Sequence, residues 1–122
     1  MWFDSLTNLP PVIDLEASSL NRQHSYPISC GLVVRGRSCY WIIEPEPDWN
    51  VWSATSQAVH GLTRPYLEKE GLPLKQVQAE IASALSGFGV IYSDAPEWGG
   101  LWCAKLGIDG IRFGISTSCR PL

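Results

Sequence analysis

Six residues near the start of the chain, Val12-Ile13-Asp14-Leu15-Glu16-Ala17, alternate between two kinds of side chain. Ile13, Leu15 and Ala17 fall on one face; Val12, Asp14 and Glu16 fall on the other. A period of two marks a half-buried β-strand. Pro10-Pro11 before the segment and Ser18-Ser19 after it set its limits. Two steps along a strand place the carboxylate-bearing α-carbons roughly 7 Å apart. Buried together without partners, two such charges would be strongly destabilising. The chain must therefore build a sheet that packs on one side of this strand and leaves the other side solvated, paired or bound to a cation.

The remaining punctuation fits that requirement. Residues 28–34 read as a second strand, Arg35-Gly36-Arg37-Ser38 as a turn, and residues 39–43 as a third strand, so the two form a hairpin. Glu44-Pro45-Glu46-Pro47-Asp48 cannot sit in a central strand, because proline donates nothing to the ladder. This loop runs into Trp49-Asn50-Val51-Trp52. Thr63 or Arg64 can cap a short helix with Pro65 in its first turn and Gly71 at its end. Leu74, Val77, Ile81 and Leu85 recur at helical spacing, and Ser86-Gly87 stops that helix. Residues 89–92 read as a short buried strand and residues 98–106 as a further helix. The order predicts an α/β mixed sheet with an antiparallel hairpin and flanking helices, in one domain over residues 1–122.

A net charge of -3 argues against gripping nucleic acid through a basic face, but not against gripping phosphates through metal ions. There is no apolar run long enough to span a membrane, and the start has no basic and apolar leader pattern. A cytoplasmic protein without a membrane partner is expected. Cys30, Cys39, Cys103 and Cys119 lack paired C-x-x-C spacing, so reduced, mostly buried thiols are expected rather than a zinc site. Neither a phosphate-binding G-x-x-x-x-G-K-[ST] nor a G-x-S-x-G is present. Glycosidase carboxylates normally flank a cleft from separate strands or loops, which Asp14 and Glu16 do not.

Three positions carry candidate chemistry. Asp14 and Glu16 offer hard oxygen ligands suited to Mg²⁺ or Mn²⁺, including a pair of ions about 3.5–4 Å apart, or they simply line a wet sheet face. His60, in Val59-His60-Gly61-Leu62-Thr63, is a catalyst or a capping and packing residue. Asp94 stands at the end of a buried strand, where functional side chains often emerge, or serves as a turn residue before Ala95-Pro96. Trp49, Trp52 and Trp98 either stack bases or belong to the core.

Taken together, the segments 12–18, Tyr26-Pro27-Ile28-Ser29-Cys30-Gly31, Val59-His60-Gly61-Leu62-Thr63 and Tyr92-Ser93-Asp94-Ala95-Pro96-Glu97-Trp98 resemble the DEDD (DnaQ-like) superfamily of 3′–5′ exonucleases, on a ribonuclease H-like fold. The resemblance runs over residues 10–106. It implies that Asp14 and Glu16 form the first acidic motif and bind both metal ions. It also implies that His60 and Gly61, with Ser18, bind the substrate near a nucleic-acid 3′ end. The family's second motif sets an Asp after an aromatic residue. Here Trp98 is followed by Gly99 and Gly100, which leaves Asp94 as the nearest replacement, catalytic and metal-binding in role. Where the hairpin strand often carries Glu, this chain has Cys30. The family's last motif is a His followed five residues later by an Asp. The only histidines are His24 and His60, with Ser29 and Pro65 five positions on.

Two functions from different classes follow. The first is an exonuclease-like domain, shortened at its C-terminal end, acting on or binding nucleic-acid 3′ ends by two-metal chemistry with weak Mg²⁺ or Mn²⁺ affinity. Such a domain hydrolyses little unless a protein partner, a second copy or a longer form supplies the missing groups. The second is a catalytically silent protein-interaction or nucleic-acid-binding module on the same fold.

Overall fold

The computed structural model describes residues 10–19, 21, 24–93, 104–108 and 112–115. Five strands form one sheet: β1 Val12–Ala17, β2 Pro27–Val34, β3 Arg37–Ile42, β4 Val90–Ser93 and β5 Arg112–Ile115, in the order β3-β2-β1-β4-β5. β1 lies in the middle, antiparallel to β2 and parallel to β4, while β2–β3 is antiparallel and β4–β5 parallel. Three helices occupy the crossover between β3 and β4: α1 Ala54–His60, α2 Arg64–Glu70 and α3 Leu74–Ala84. The α/β mixed sheet with an antiparallel hairpin is the architecture expected.

The hairpin turn is tighter than expected. Only Arg35 and Gly36 stand between the strands, with φ of 52° and 75°. Two central residues with positive φ make the turn that matches the strands' own twist. Arg35 tolerates the strain because its guanidinium is held. It donates to Ala84 O at 2.9 Å and Ser86 O at 2.6 Å, and lies 4.6 Å over the Phe88 ring. The turn is thereby clamped to the carbonyl end of α3, where a cation is favoured.

α3 carries the packing side of the sheet. Val77 and Ile81 are fully buried and Leu85 nearly so, against Ile13, Cys30, Leu32, Val34, Trp41, Ile43 and Ile91. The helical spacing of Leu74, Val77, Ile81 and Leu85 is thus the helix's sheet-facing stripe. Trp41 Nε1 donates to Glu80 Oε1 at 3.0 Å, which satisfies the indole as it is buried. Cys30 is core and Cys39 half-buried; Cys103 and Cys119 lie outside the described residues.

Two elements, α1 and β5, were not expected. Gly71 caps the end of α2 as expected, in an extended conformation with φ and ψ of -71° and 151°. It is required there for space: a Cβ would lie 2.4 Å from Glu44 N and 2.5 Å from Leu67 O. The close approach lets Glu44 N donate to Leu72 O and Leu72 N to Ile42 O, tying the α2–α3 link to the end of β3. Of the helix expected over residues 98–106, Ala104 and Lys105 are helical, and residues 98–103 lie outside the described residues. Among the described residues, no helix is long and apolar enough to cross a membrane.

The steric argument sets a test. Gly71→Ala is expected to lower stability by about 1–3 kcal/mol or more, because rigid backbone must move. Gly89→Ala, with nothing within 4 Å of the added carbon, serves as the matched control. Thermal unfolding of the two variants checks it, and equal melting temperatures would contradict it.

Candidate functional site

On β1 the side chains divide as the alternation requires. Ile13 and Ala17 are buried, Asp14 is exposed and Glu16 is half-buried. The open face continues across the ladder from Asp14 to Gly31 on β2 and Tyr40 on β3, whereas Glu16 stands opposite Ser29, which is buried. Burial raises the Glu16 pKa above 4.5, and the neighbouring Asp14 charge raises it further.

At its far end β1 is bent. The register with β2 shifts between Glu16 and Ala17, and Ala17 stands opposite Pro27, which has no N–H for the ladder. Ser18 then takes over the pairing. Its N–H donates to Tyr26 O at 3.0 Å, its Oγ accepts from Tyr26 N at 3.2 Å, and its carbonyl accepts from Ser53 N at 2.9 Å. Ser53 is the N-cap of α1, accepting from Ser56 N through its hydroxyl. The end of β1 therefore fixes where α1 begins. Ser18 is fully buried in this role.

A cleft of about 260 Å³ opens between the end of β1 and α1, lined by Leu15, Glu16, Ala17 and Ser19 from the first and Thr55, Ser56, Val59 and His60 from the second. Gly61 ends α1 at φ 75°, in the left-handed region that suits glycine. This turn lets His60 Nδ1 accept from Leu62 N at 2.9 Å. With Nδ1 an acceptor, the neutral ring carries its proton on Nε2. That atom is buried and has no hydrogen-bond partner among the described residues. The ring also meets Trp52 edge-on at 5.8 Å between centroids, and burial lowers the His60 pKa below 6.5.

The expected site residues are thus distributed unequally. Asp14 and Glu16 share the open face, Glu16 and His60 share the cleft, and Gly61 shapes the turn behind His60. Ser18 holds β1, Tyr26 and Ser53 together, while Ser19 lines the cleft. Asp94 lies outside the described residues. Among those described, no group of three or more His, Cys, Asp or Glu side chains is placed to hold a metal ion. Asp14 and Glu16 do fit a hard divalent ion as a two-carboxylate seat, since their mutual repulsion is what a cation would relieve. Trp49 and Trp52 are half-buried structural residues. Trp49 stacks on Tyr26 with centroids 5.0 Å apart, its carbonyl accepts from Arg64, and Trp52 Nε1 donates to Gln57 Oε1 at 2.9 Å. Trp98 lies outside the described residues.

Thr55, Ser56 and Val59 were not expected at the site. Their signal was Ser53 as an N-cap with Gly61 eight residues on, a bracket that encloses one short helix.

Similarity to solved structures is consistent with this layout. A product-bound exonuclease I superposes with a TM-score of 0.72 at 11% identity, over 89% of this chain and 30% of that one. Escherichia coli exonuclease I in complex with a dA16 oligonucleotide gives 0.69 at 11%, over 88% and 28%. The moderately thermophilic exonuclease I from Methylocaldum szegediense gives 0.67 at 10%, over 88% and 27%. The chain spans less than a third of the length of these proteins, and at such identity the correspondence is one of fold: an α/β, ribonuclease H-like exonuclease fold. No family model and no curated protein sequence matches the chain.

The Glu16 environment has a measurable sign. The folded chain holds the Glu16 proton more tightly than the unfolded chain does. Stability therefore falls as pH rises through the window from 4.5 to the raised value, and stays lower above it. Glu16→Gln is expected to raise the melting temperature at about pH 7 and to leave it unchanged at about pH 3. In Asp14→Asn, carboxyl NMR should show the Glu16 midpoint fall yet remain above 4.5, because burial is the larger cause. A return to 4.5 would contradict the assignment.

Proposed function

We propose that the chain is a single exonuclease-like domain that binds the 3′ end of single-stranded nucleic acid at the cleft between β1 and α1. In this reading it hydrolyses little unless a partner or further chain supplies more groups. The observation that carries the reading is that Glu16 of β1 and His60 of α1 line one cleft. The fold likeness to exonuclease I, seen elsewhere with dA16, supports the choice of ligand.

Each group has a role that its environment allows. Asp14 and Glu16 would hold Mg²⁺ or Mn²⁺, with water filling most of the coordination sphere, so affinity is weak. A bound ion would supply positive charge to phosphodiester oxygens and lower the pKa of a coordinated water. His60 is neutral at pH 7, its Nδ1 already occupied, so it would act as a donor: its buried Nε2–H, without a partner among the described residues, would meet a phosphate or sugar oxygen when binding uncovers it. Its environment does not make it a general base. Asp94, the residue that would extend the acidic set, belongs to this proposal as a third ligand.

The test is binding and cleavage on one 5′-labelled single-stranded oligonucleotide in Mn²⁺. The wild-type chain is expected to bind and to leave the 3′ end unshortened. His60→Ala is expected to weaken binding about tenfold, the scale of a hydrogen bond to a charged group. Asp14→Ala is expected to abolish the Mn²⁺-dependent part. Stepwise shortening that vanishes in Asp14→Ala would overturn the claim of little hydrolysis. Binding that persists unchanged in EDTA and in Asp14→Ala would instead favour a metal-independent binding module.

A further inference from the structure

We propose that Tyr40 is a base-stacking platform that positions the strand whose 3′ end occupies the cleft; the inference rests on the reading above. Tyr40 is 61% exposed, although it is a large aromatic side chain at a β-sheet position. The register puts it on the carboxylate face, in one row with Gly31 and Asp14. Gly31 keeps that row flat. A Cβ built there would lie 3.9 Å from Tyr40 Cδ1 and 3.8 Å from Asp14 O, so the ring leans over the glycine towards β1. Val33, 49% exposed and opposite Ser38, extends the same apolar strip.

Spacing and charge select the occupant. Two strand spacings separate Tyr40 from Asp14, roughly 10 Å. That is about three stacked-base steps of roughly 3.4 Å, so a strand anchored at the carboxylates can lay a nearby base on the ring. A chain of net charge -3 gains little from phosphate attraction. Stacking needs no positive charge, because every base presents a neutral π-face. The indoles that a sequence reading offers for this task, Trp49 and Trp52, are engaged in packing and hydrogen bonds. Tyr40 is an exposed ring on the correct face.

The experiment compares a labelled single-stranded oligonucleotide with an abasic one of equal length, by fluorescence anisotropy in Mn²⁺. Tyr40→Ala is expected to weaken binding of the base-carrying strand by roughly 5- to 50-fold, the scale of one stacked base. Its affinity for the abasic strand should match wild type. Tyr40→Phe should bind like wild type, and Tyr40→Leu, which keeps apolar bulk over Gly31, should behave like the alanine variant. Equal binding by wild type and both truncated variants overturns the inference, as does an equal loss on the abasic strand. Failure of the wild-type chain to bind either strand overturns the functional reading itself, and this inference with it.

Discussion

The repulsion and desolvation of two carboxylates on one strand organise this protein. Asp14 and Glu16 cannot both be sealed into an apolar interior, so the sheet stays open around Asp14, Gly31 and Tyr40 while the main core gathers on the other face. Val77, Ile81 and Leu85 of α3 supply that core, packing on Ile13, Leu32 and Ile91. The charge pair is tolerated because Asp14 faces water and only Glu16 is partly withdrawn from it, with its proton held more tightly as a result. A central strand under this constraint has one side committed to packing and keeps Asp14 on the other in water.

The end of β1 converts that scaffold into a site. Pro27 interrupts the ladder, the bulge follows, and Ser18 hands its carbonyl to the N-cap of α1. One short run of residues thereby sets both the carboxylate at position 16 and the helix that delivers His60. α2 reinforces the arrangement from behind: Arg64 donates to Tyr26 Oη at 2.5 Å and to the Trp49 carbonyl, joining α2 to the start of β2. Lys105 adds a third tie by donating to Ser25 O at 2.5 Å. These contacts explain why Ser18, Tyr26, Trp49 and Arg64 belong to the support of the cleft.

Much of the fold was legible because its signals are local. The alternation in β1, the hairpin and the α3 stripe each depend on residues close in sequence, and each stands as read. α1 was missed because its seven residues, Ala54–His60, bury none of their side chains, so no apolar periodicity marks it. β5 was missed because its pairing with β4 is long-range, and its glycine-containing RFGI sequence carries no clear alternation. For the site, Asp14, Glu16, His60 and Gly61 were visible as residue types, whereas their partners were not. That Glu16 and His60 share a cleft depends on the Ser18–Ser53 hydrogen bond, and that Tyr40 joins Asp14 depends on strand register. Neither is a property of any one segment.

The central claim is that the open carboxylate pair on β1 is the functional centre of the chain. It is tested most directly by titrating Mn²⁺ into the isotopically labelled protein and recording which amide signals broaden. At roughly millimolar Mn²⁺, as weak two-carboxylate coordination requires, broadening should be strongest at Asp14 to Glu16 and at the facing residues 29–31 of β2. It should disappear in Asp14→Ala. Broadening centred on the exposed acidic residues of α2, Glu68 and Glu70, or none at all near β1, would contradict the account.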